Sequence, residues 1–323
     1  MRQAAHAVTI VDGATAEGTG AVPSAVALPK RPERSKPRDL KAGSYPYAFY
    51  LPAGIIYAVL FIVPTVMAFF FSLTRWTLFD WEFIGLDNFR QFFRTPALTN
   101  GMRNTVIYAV STSGLKVVLG MALAVLLTSR IRLKSVLRSI VFFPALVSTV
   151  AVGITFRVLM HPSDGLINKT IEFFGANGPA WLTDPQIALL SVAFVDVWKG
   201  VGIALVIFIA GILSIPEDYT EAVRLDGGAW AKFWHVVVPL SRNTTFTVIL
   251  LSFVGGLRSF DLIWTMTGGG PGFTTDVIAS TIYKQYQAGF YGLSTAGNVI
   301  LFAAICVIVF PMRRYFHRKE IQV

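Results

Sequence analysis

The sequence predicts an all-α polytopic membrane protein with six transmembrane helices. Three observations carry that expectation. Of the 323 residues, 54% are hydrophobic and only 14% charged, about half the charge of a soluble domain. Mean hydropathy is +0.60. The apolar residues gather in runs of about 20, the length that crosses roughly 30 Å of hydrocarbon. Each run should be helical, because an open sheet leaves unpaired backbone groups in lipid. A soluble globular domain, a disordered chain and a coiled coil are excluded by the same figures. The single cysteine, Cys306, excludes an internal disulfide or a cysteine zinc cluster.

In chain order, residues 1–43 read as a disordered basic tail, rich in Ala, Gly, Thr and Pro and closing on the basic stretch from Lys30 to Lys41. No apolar core lies in its first 30 residues, so no signal peptide is expected. Residues 44–323 form the membrane domain. Its expected spans are Leu51–Leu73, Thr105–Thr128, Val136–Met160, Gln186–Leu213, Thr244–Met266 and Leu293–Met312. Of the 28 Lys and Arg residues, 17 fall in the two tails and loops 129–135 and 214–243, 6 in loops 74–104, 161–185 and 267–292, and 5 in spans. The positive-inside rule therefore puts both termini, and loop 214–243, in the cytoplasm. Between Phe79 and Phe93, Leu86, Phe89 and Phe93 share one helical face, which reads as an interfacial helix ahead of a sugar platform.

Loop 214–243 is the longest cytoplasmic loop. Ser214 and Glu217 have capping-box spacing, with Pro216 in the first turn. A helix is expected from Ile215 to Asp226, stopped by Gly227 in a positive-φ conformation. A second helix carries Trp230, Phe233, Trp234 and Val237 at i, i+3, i+4 and i+7, and Pro239 ends it. Two readings fit: a stiff protrusion that transmits force to a partner, or an interfacial connector with its aromatic stripe among headgroups.

The run Glu221-Ala222-Val223-Arg224-Leu225-Asp226-Gly227, then Val237-Val238-Pro239 after a spacer, resembles the EAA loop of ABC-importer permeases. Val223 departs from the family's third-position alanine, and the stretch from Gly227 to Pro239 is one residue short of the pattern. The flanks resemble the carbohydrate branch: Phe83-Ile84-Gly85-Leu86-Asp87-Asn88-Phe89, Val195-Asp196-Val197-Trp198-Lys199, and Phe260-Asp261-Leu262-Ile263-Trp264 running on through Thr267 to Gly272. The resemblance covers residues 45–320 and implies a type I permease fold. It implies a half-channel that imports a sugar or oligosaccharide, with a second homologous permease, two copies of a cytoplasmic ATPase and an extracytoplasmic solute-binding protein as partners. Glu221, Ala222, Asp226, Gly227, Trp230 and Pro239 become the ATPase-coupling residues. The chain itself has no G-x-x-x-x-G-K-[ST] loop, no H-E-x-x-H, no G-x-S-x-G and no Cys/His cluster. No catalytic residue, metal or cofactor is therefore expected in it. ATP and magnesium belong to the partner ATPase, and membrane lipid rather than nucleic acid surrounds it.

Charges inside spans cost several kcal/mol unless paired or hydrated, which singles out Lys116, Arg157, Asp196, Arg258 and Asp261. Interhelical ion pairs, a pairing of Lys116 with Asp196 among them, or an outer gate account for them. Ser252, Gly255, Gly256 and Ser259 make a narrow face of small residues in span 5, suited to close helix contact or to a pathway. In the maltose-type permease the matching face helps line the sugar pocket, and the matching stretch of span 4 is Lys199, Gly200 and Ile203. The resemblance then implies that this chain contributes space and its partner most contacts. Glycerol-3-phosphate or another polar solute is an alternative cargo. An ion-coupled secondary transporter is a further alternative, although no hydropathy repeat of the kind such folds show is visible.

Overall fold

A computed structural model describes residues 47–317 apart from Leu78 and Arg130, leaving aside the side chains at 47, 48, 220, 222, 224–226 and 317. The tail expected over 1–43 lies outside these described residues. Among the described residues, four single helices are long and apolar enough to cross a membrane: α1 Leu51–Phe71, α3 Pro96–Thr128, α7 Ala188–Leu213 and α13 Tyr291–His317. Two further crossings are bent pairs. Helices α4 Lys134–Leu146 and α5 Thr149–Leu159 meet at 97°, and α9 Ala229–Leu240 and α10 Arg242–Leu257 at 68°. Six crossings result if each pair counts as one.

The bends correct two expected spans. Residues 136–160 are not one rod: Val147 and Ser148 are extended, just after Pro144 in the last turn of α4. The proline ring removes a helical N–H, and the chain leaves the helix three residues on. At 13 and 11 residues the two legs are about 20 and 17 Å long, so neither crosses alone. The expected span 244–266 likewise stops at Leu257. Arg258 to Phe260 break the helix before the short α11 Asp261–Met266.

Other boundaries moved less. Helix α3 begins at Pro96, preceded by extended Thr95, nine residues before the apolar run. The added turns are polar, and helix needs backbone pairing, not hydrophobicity. The chain also holds a small hairpin, β1 Thr74–Trp76 and β2 Trp81–Phe83, with Arg75 opposite Glu82. Asn88 of α2 Asp87–Arg94 is buried and donates to the Ser72 and Thr74 carbonyls at 2.9 and 2.8 Å, tying α2 to the hairpin. The buried face of α2 is Asn88 and Phe92, while Leu86 and Phe93 point away exposed. Helix α6 Leu166–Phe173 packs in the loop before α7.

The interior is built on α3. A Cβ on Gly120 would fall 2.8 Å from that of Ala204, and Lys116 reaches Asp196. Residue numbers rise together on α3 and α7, so the two run parallel at close range. Gly256 abuts Ala109, and Ser113 donates to the Ile249 carbonyl; α10 therefore runs antiparallel to α3. In contrast, α1 buries none of its apolar residues. Between Met266 and α12 Ile278–Gln287 lies a glycine-rich loop.

Candidate functional site

The coupling region is α8 Glu217–Asp226 followed by α9. The helix starts two residues later than expected and no capping box forms. Ser214 closes α7 instead, its hydroxyl donating to the Gly211 carbonyl at 2.8 Å. Pro216 is the N-cap, and Glu217 and Asp218 occupy the first turn, where the helix dipole favours acids. Gly227 does stop α8, but at φ −168° and ψ 164°. That is extended backbone, not the left-handed turn expected, because the chain leaves the helix straight rather than curling back on it. The glycine is needed for another reason: a Cβ would lie 2.6 Å from the Ala231 Cβ. Pro239 does not end the second helix either. A π turn over Phe233–Val237 absorbs the missing N–H, the helix continues to Leu240, and the bend comes at Ser241.

Exposure grades along the aromatic stripe. Trp230 is 74% exposed, Trp234 half exposed, Phe233 half buried and Val237 buried. Trp230 and Trp234 meet edge to face at 5.8 Å. Glu221 is exposed, with no ion pair among the described residues. Ala222 and Asp226 lie in α8, but their side chains are outside those described. Beneath the elbow a cavity of about 460 Å³ is lined by Val125, Thr128, Ile212, Gly227, Phe233 and Val237.

The second site lies where α3, α7 and α10 meet. Lys116, 9% exposed, bonds Asp196 at 2.7 Å. Gly200 makes this possible: a Cβ there would meet the Lys116 Cε at 2.6 Å. Lys116, Gly200, Ile203, Leu251 and Ser252 border one cavity of about 110 Å³. The small-residue face thus divides. Ser252 faces the cavity, Gly255 is exposed to open space, and Gly256 is buried, its ideal Cβ 2.7 Å from the Ala109 Cα. Ser259 is half buried in the break after α10.

The remaining charges are not drawn together. Lys199 is half buried and Arg157, Arg258 and Asp261 are exposed, none with an ion pair among the described residues. A general scheme of interhelical pairs is thereby reduced to one. Arg157 lies in the last turn of α5, and Arg258 closes α10 where span 5 breaks.

Two buried features escaped the sequence reading. Tyr108 is fully buried on α3 within the field of Asp196, with the Ser259 side chain beside its hydroxyl. Asp276, also 0% exposed, receives Lys284 Nζ on both oxygens at 2.9 and 2.7 Å and Ser280 Oγ at 2.8 Å. Asn104 of α3 donates to the Thr274 and Asp276 carbonyls at 2.8 and 2.9 Å. Gly269 must be glycine here: φ is +91°, and any Cβ would overlap the Asp276 carboxylate. Asp276, Ser280 and Lys284 recur every four residues, a helix-face pattern that was available as a signal.

Comparison with known proteins fits this architecture. Residues 116–322 match the family described as binding-protein-dependent transport system inner membrane component. A probable ABC transporter permease of Bacillus subtilis is 31% identical over 284 residues, covering 85% of this chain and 97% of the relative. The trehalose/maltose transport system permease of Thermococcus litoralis is 30% identical over 273 residues, covering 84% and 92%. A crystal structure of a bacterial alginate ABC transporter, in complex with its alginate pentasaccharide-bound periplasmic protein, contains a chain of like fold. Its TM-score is 0.75 at 22% identity, covering 84% of this chain and 93% of that one. The chain belongs to the binding-protein-dependent transport system inner membrane components, the membrane-embedded permeases of ABC transporters.

Proposed function

We propose that this permease forms half the channel of an ATP-driven importer that moves a sugar or oligosaccharide into the cytoplasm. An extracytoplasmic binding protein delivers the cargo, a second homologous permease forms the other half-channel, and two copies of a cytoplasmic ATPase supply the energy. The Lys and Arg asymmetry supports cytoplasmic termini, with residues 1–43 as a basic cytoplasmic tail ahead of a permease domain over 44–323. Hydrolysis, with its ATP and magnesium, takes place in the partner, since this chain has no phosphate loop.

The observation that carries the reading is the cavity bordered by Lys116, Gly200, Ile203 and Ser252. At about 110 Å³ it has room for roughly four waters at ~30 Å³ each, far below a small-ligand site of ~300 Å³ or more. It is one wall of a pocket completed by the second permease. The trehalose/maltose relative supports a sugar as cargo. At the other end Glu221 and Trp230 present one carboxylate and one indole for docking, and Gly227 and Pro239 shape the elbow behind them.

Proteoliposomes holding the assembled transporter provide the test. ATP hydrolysis should rise with the loaded binding protein, and labelled sugar should accumulate. Truncating one side of a docked charge pair costs about 2–5 kcal/mol, so Glu221→Lys should abolish both while the chain still inserts. Uptake driven by an ion gradient without ATP, or hydrolysis by the isolated chain, overturns the proposal.

A further inference from the structure

The first turns of α3 and α7, at the end away from α8 and α9, frame a cavity used by neither the coupling residues nor the pathway. It measures about 380 Å³, and Asn100, Arg103, Ile107, Gln186, Leu190 and Phe273 are among its walls. That volume is in the range of small-ligand sites.

Polarity divides the cavity along the helix axes. Asn100, Arg103 and Gln186 make one half. Ile107, one turn beyond Arg103, and Leu190, in the first turn of α7, make the other, and Val110 and Phe194 continue the apolar wall at 56% and 61% exposure. Counting back from Leu127, about twenty residues of helix cover ~30 Å of hydrocarbon. The hydrocarbon boundary on α3 therefore falls between Ile107 and Arg103, through the middle of the cavity.

Charge is equally one-sided. Arg103 is exposed, with neither an ion pair nor a hydrogen bond among the described residues, and no carboxylate lines the cavity. The Asn100 and Gln186 side-chain amides are also without partners there. Lys284, over the Phe273 ring at 5.2 Å, is already held by Asp276.

We infer that this cavity binds the headgroup of an anionic phospholipid. Arg103 meets the phosphate, the amides of Asn100 and Gln186 donate to its remaining oxygens, and the acyl chains lie along Ile107, Leu190 and Phe194. A soluble phosphate leaves the apolar half unfilled. A zwitterionic headgroup brings an ammonium for which the cavity lining offers no carboxylate, the Asp184 carboxylate behind it being engaged by the Gln186 backbone N–H at 2.8 Å. Guanidinium against phosphate is also the bidentate pairing that makes arginine strong at such sites.

The assembled transporter is to be titrated in detergent with phosphatidylglycerol or phosphatidylcholine, and retained lipid counted by native mass spectrometry. Phosphatidylglycerol should be retained preferentially. Arg103→Gln should weaken it about tenfold, the loss of one charge-assisted contact. Arg94→Gln, an equal charge change on α2 outside the cavity, should leave retention unchanged, and millimolar inorganic phosphate should not displace the lipid. Equal retention by Arg103→Gln, equal loss from Arg94→Gln or displacement by phosphate each overturns the proposal. So does a Leu190→Cys variant that cross-links efficiently to the second permease, since protein would then cover the groove.

Discussion

Two of the regions where the molecule buries charged groups differ in how tightly the surroundings close on them. In the loop before α12, Asp276 accepts three hydrogen bonds from Lys284 and Ser280, Asn104 clamps two backbone carbonyls, and Thr267 and Thr275 bond each other at 2.8 Å. Where α3, α7 and α10 meet, Lys116 and Asp196 are paired, but Gly255 faces open space and a cavity adjoins the ion pair. A saturated network in low dielectric is rigid, because every rearrangement strands a group. One that borders empty space has somewhere to go. The difference separates scaffold from working site: the loop holds a shape, whereas the interior leaves capacity for cargo or for a second arrangement of helices.

The contrast predicts the ranking of two charge deletions. Lys284→Met leaves a fully buried Asp276 with only Ser280, and breaking such a pair costs about 3–5 kcal/mol. The purified transporter should melt markedly lower, and less protein should reach the membrane. Lys116→Met is expected to cost less, about 1–3 kcal/mol, because the Asp196 side chain keeps 22% of its surface exposed and the adjoining cavity admits water. Lys116→Met combined with Asp196→Leu should restore most of the lost stability. Transport should not return with it, if the pair borders the pathway. A larger stability loss at Lys116 than at Lys284 would reverse the assignment of scaffold and working site.

How much of this was visible in the sequence follows from what each signal measures. Spans 1, 2, 4 and 6 were legible because continuous apolar runs report residence in hydrocarbon. The breaks in spans 3 and 5 were not, since hydropathy carries no direction. Pro144 and the polar run Arg258-Ser259 marked them only as interruptions. Lys116 and Asp196 stood out because a charge in a span demands an explanation. Asp276 and Lys284 did not, because charges outside the spans demand none until the fold buries them, and only their four-residue spacing with Ser280 hinted at a shared helix face. Gly227 was rightly placed at a helix stop for the wrong reason: a stop can be extended, and what excludes a side chain there is Ala231.

Neighbouring glycines of α10 sharpen the same contrast within the interior. Gly256→Ala puts a methyl within 2.7 Å of the Ala109 Cα and 3.1 Å of the Thr112 hydroxyl. Backbone of a packed helix cannot give way as a flexible side chain does, so overpacking of about 1–3 kcal/mol is expected. The readout is a lower melting temperature with substrate affinity per folded transporter retained.

Gly255→Ala carries the smallest stability effect and the opposite sign. Among the described residues, nothing lies within 4 Å of a Cβ at Gly255, so the methyl meets no obstacle among them. Alanine also loses less backbone freedom than glycine on entering a helix, which should stabilise α10 by about 0.5–1 kcal/mol. The open space beside Gly255 adjoins the same helix face as Ser252, one turn away on the cavity. If that space is pathway, the methyl narrows it, and uptake should fall although the protein melts higher. Stability and transport moving in opposite directions cannot come from damage to the fold. Bulk at Gly255 raised further to valine should deepen the transport defect without a matching loss of assembled protein. Unchanged uptake in both variants would return Gly255 to the lipid-facing surface and leave Gly200, Ile203 and Ser252 as this chain's whole contribution to the wall.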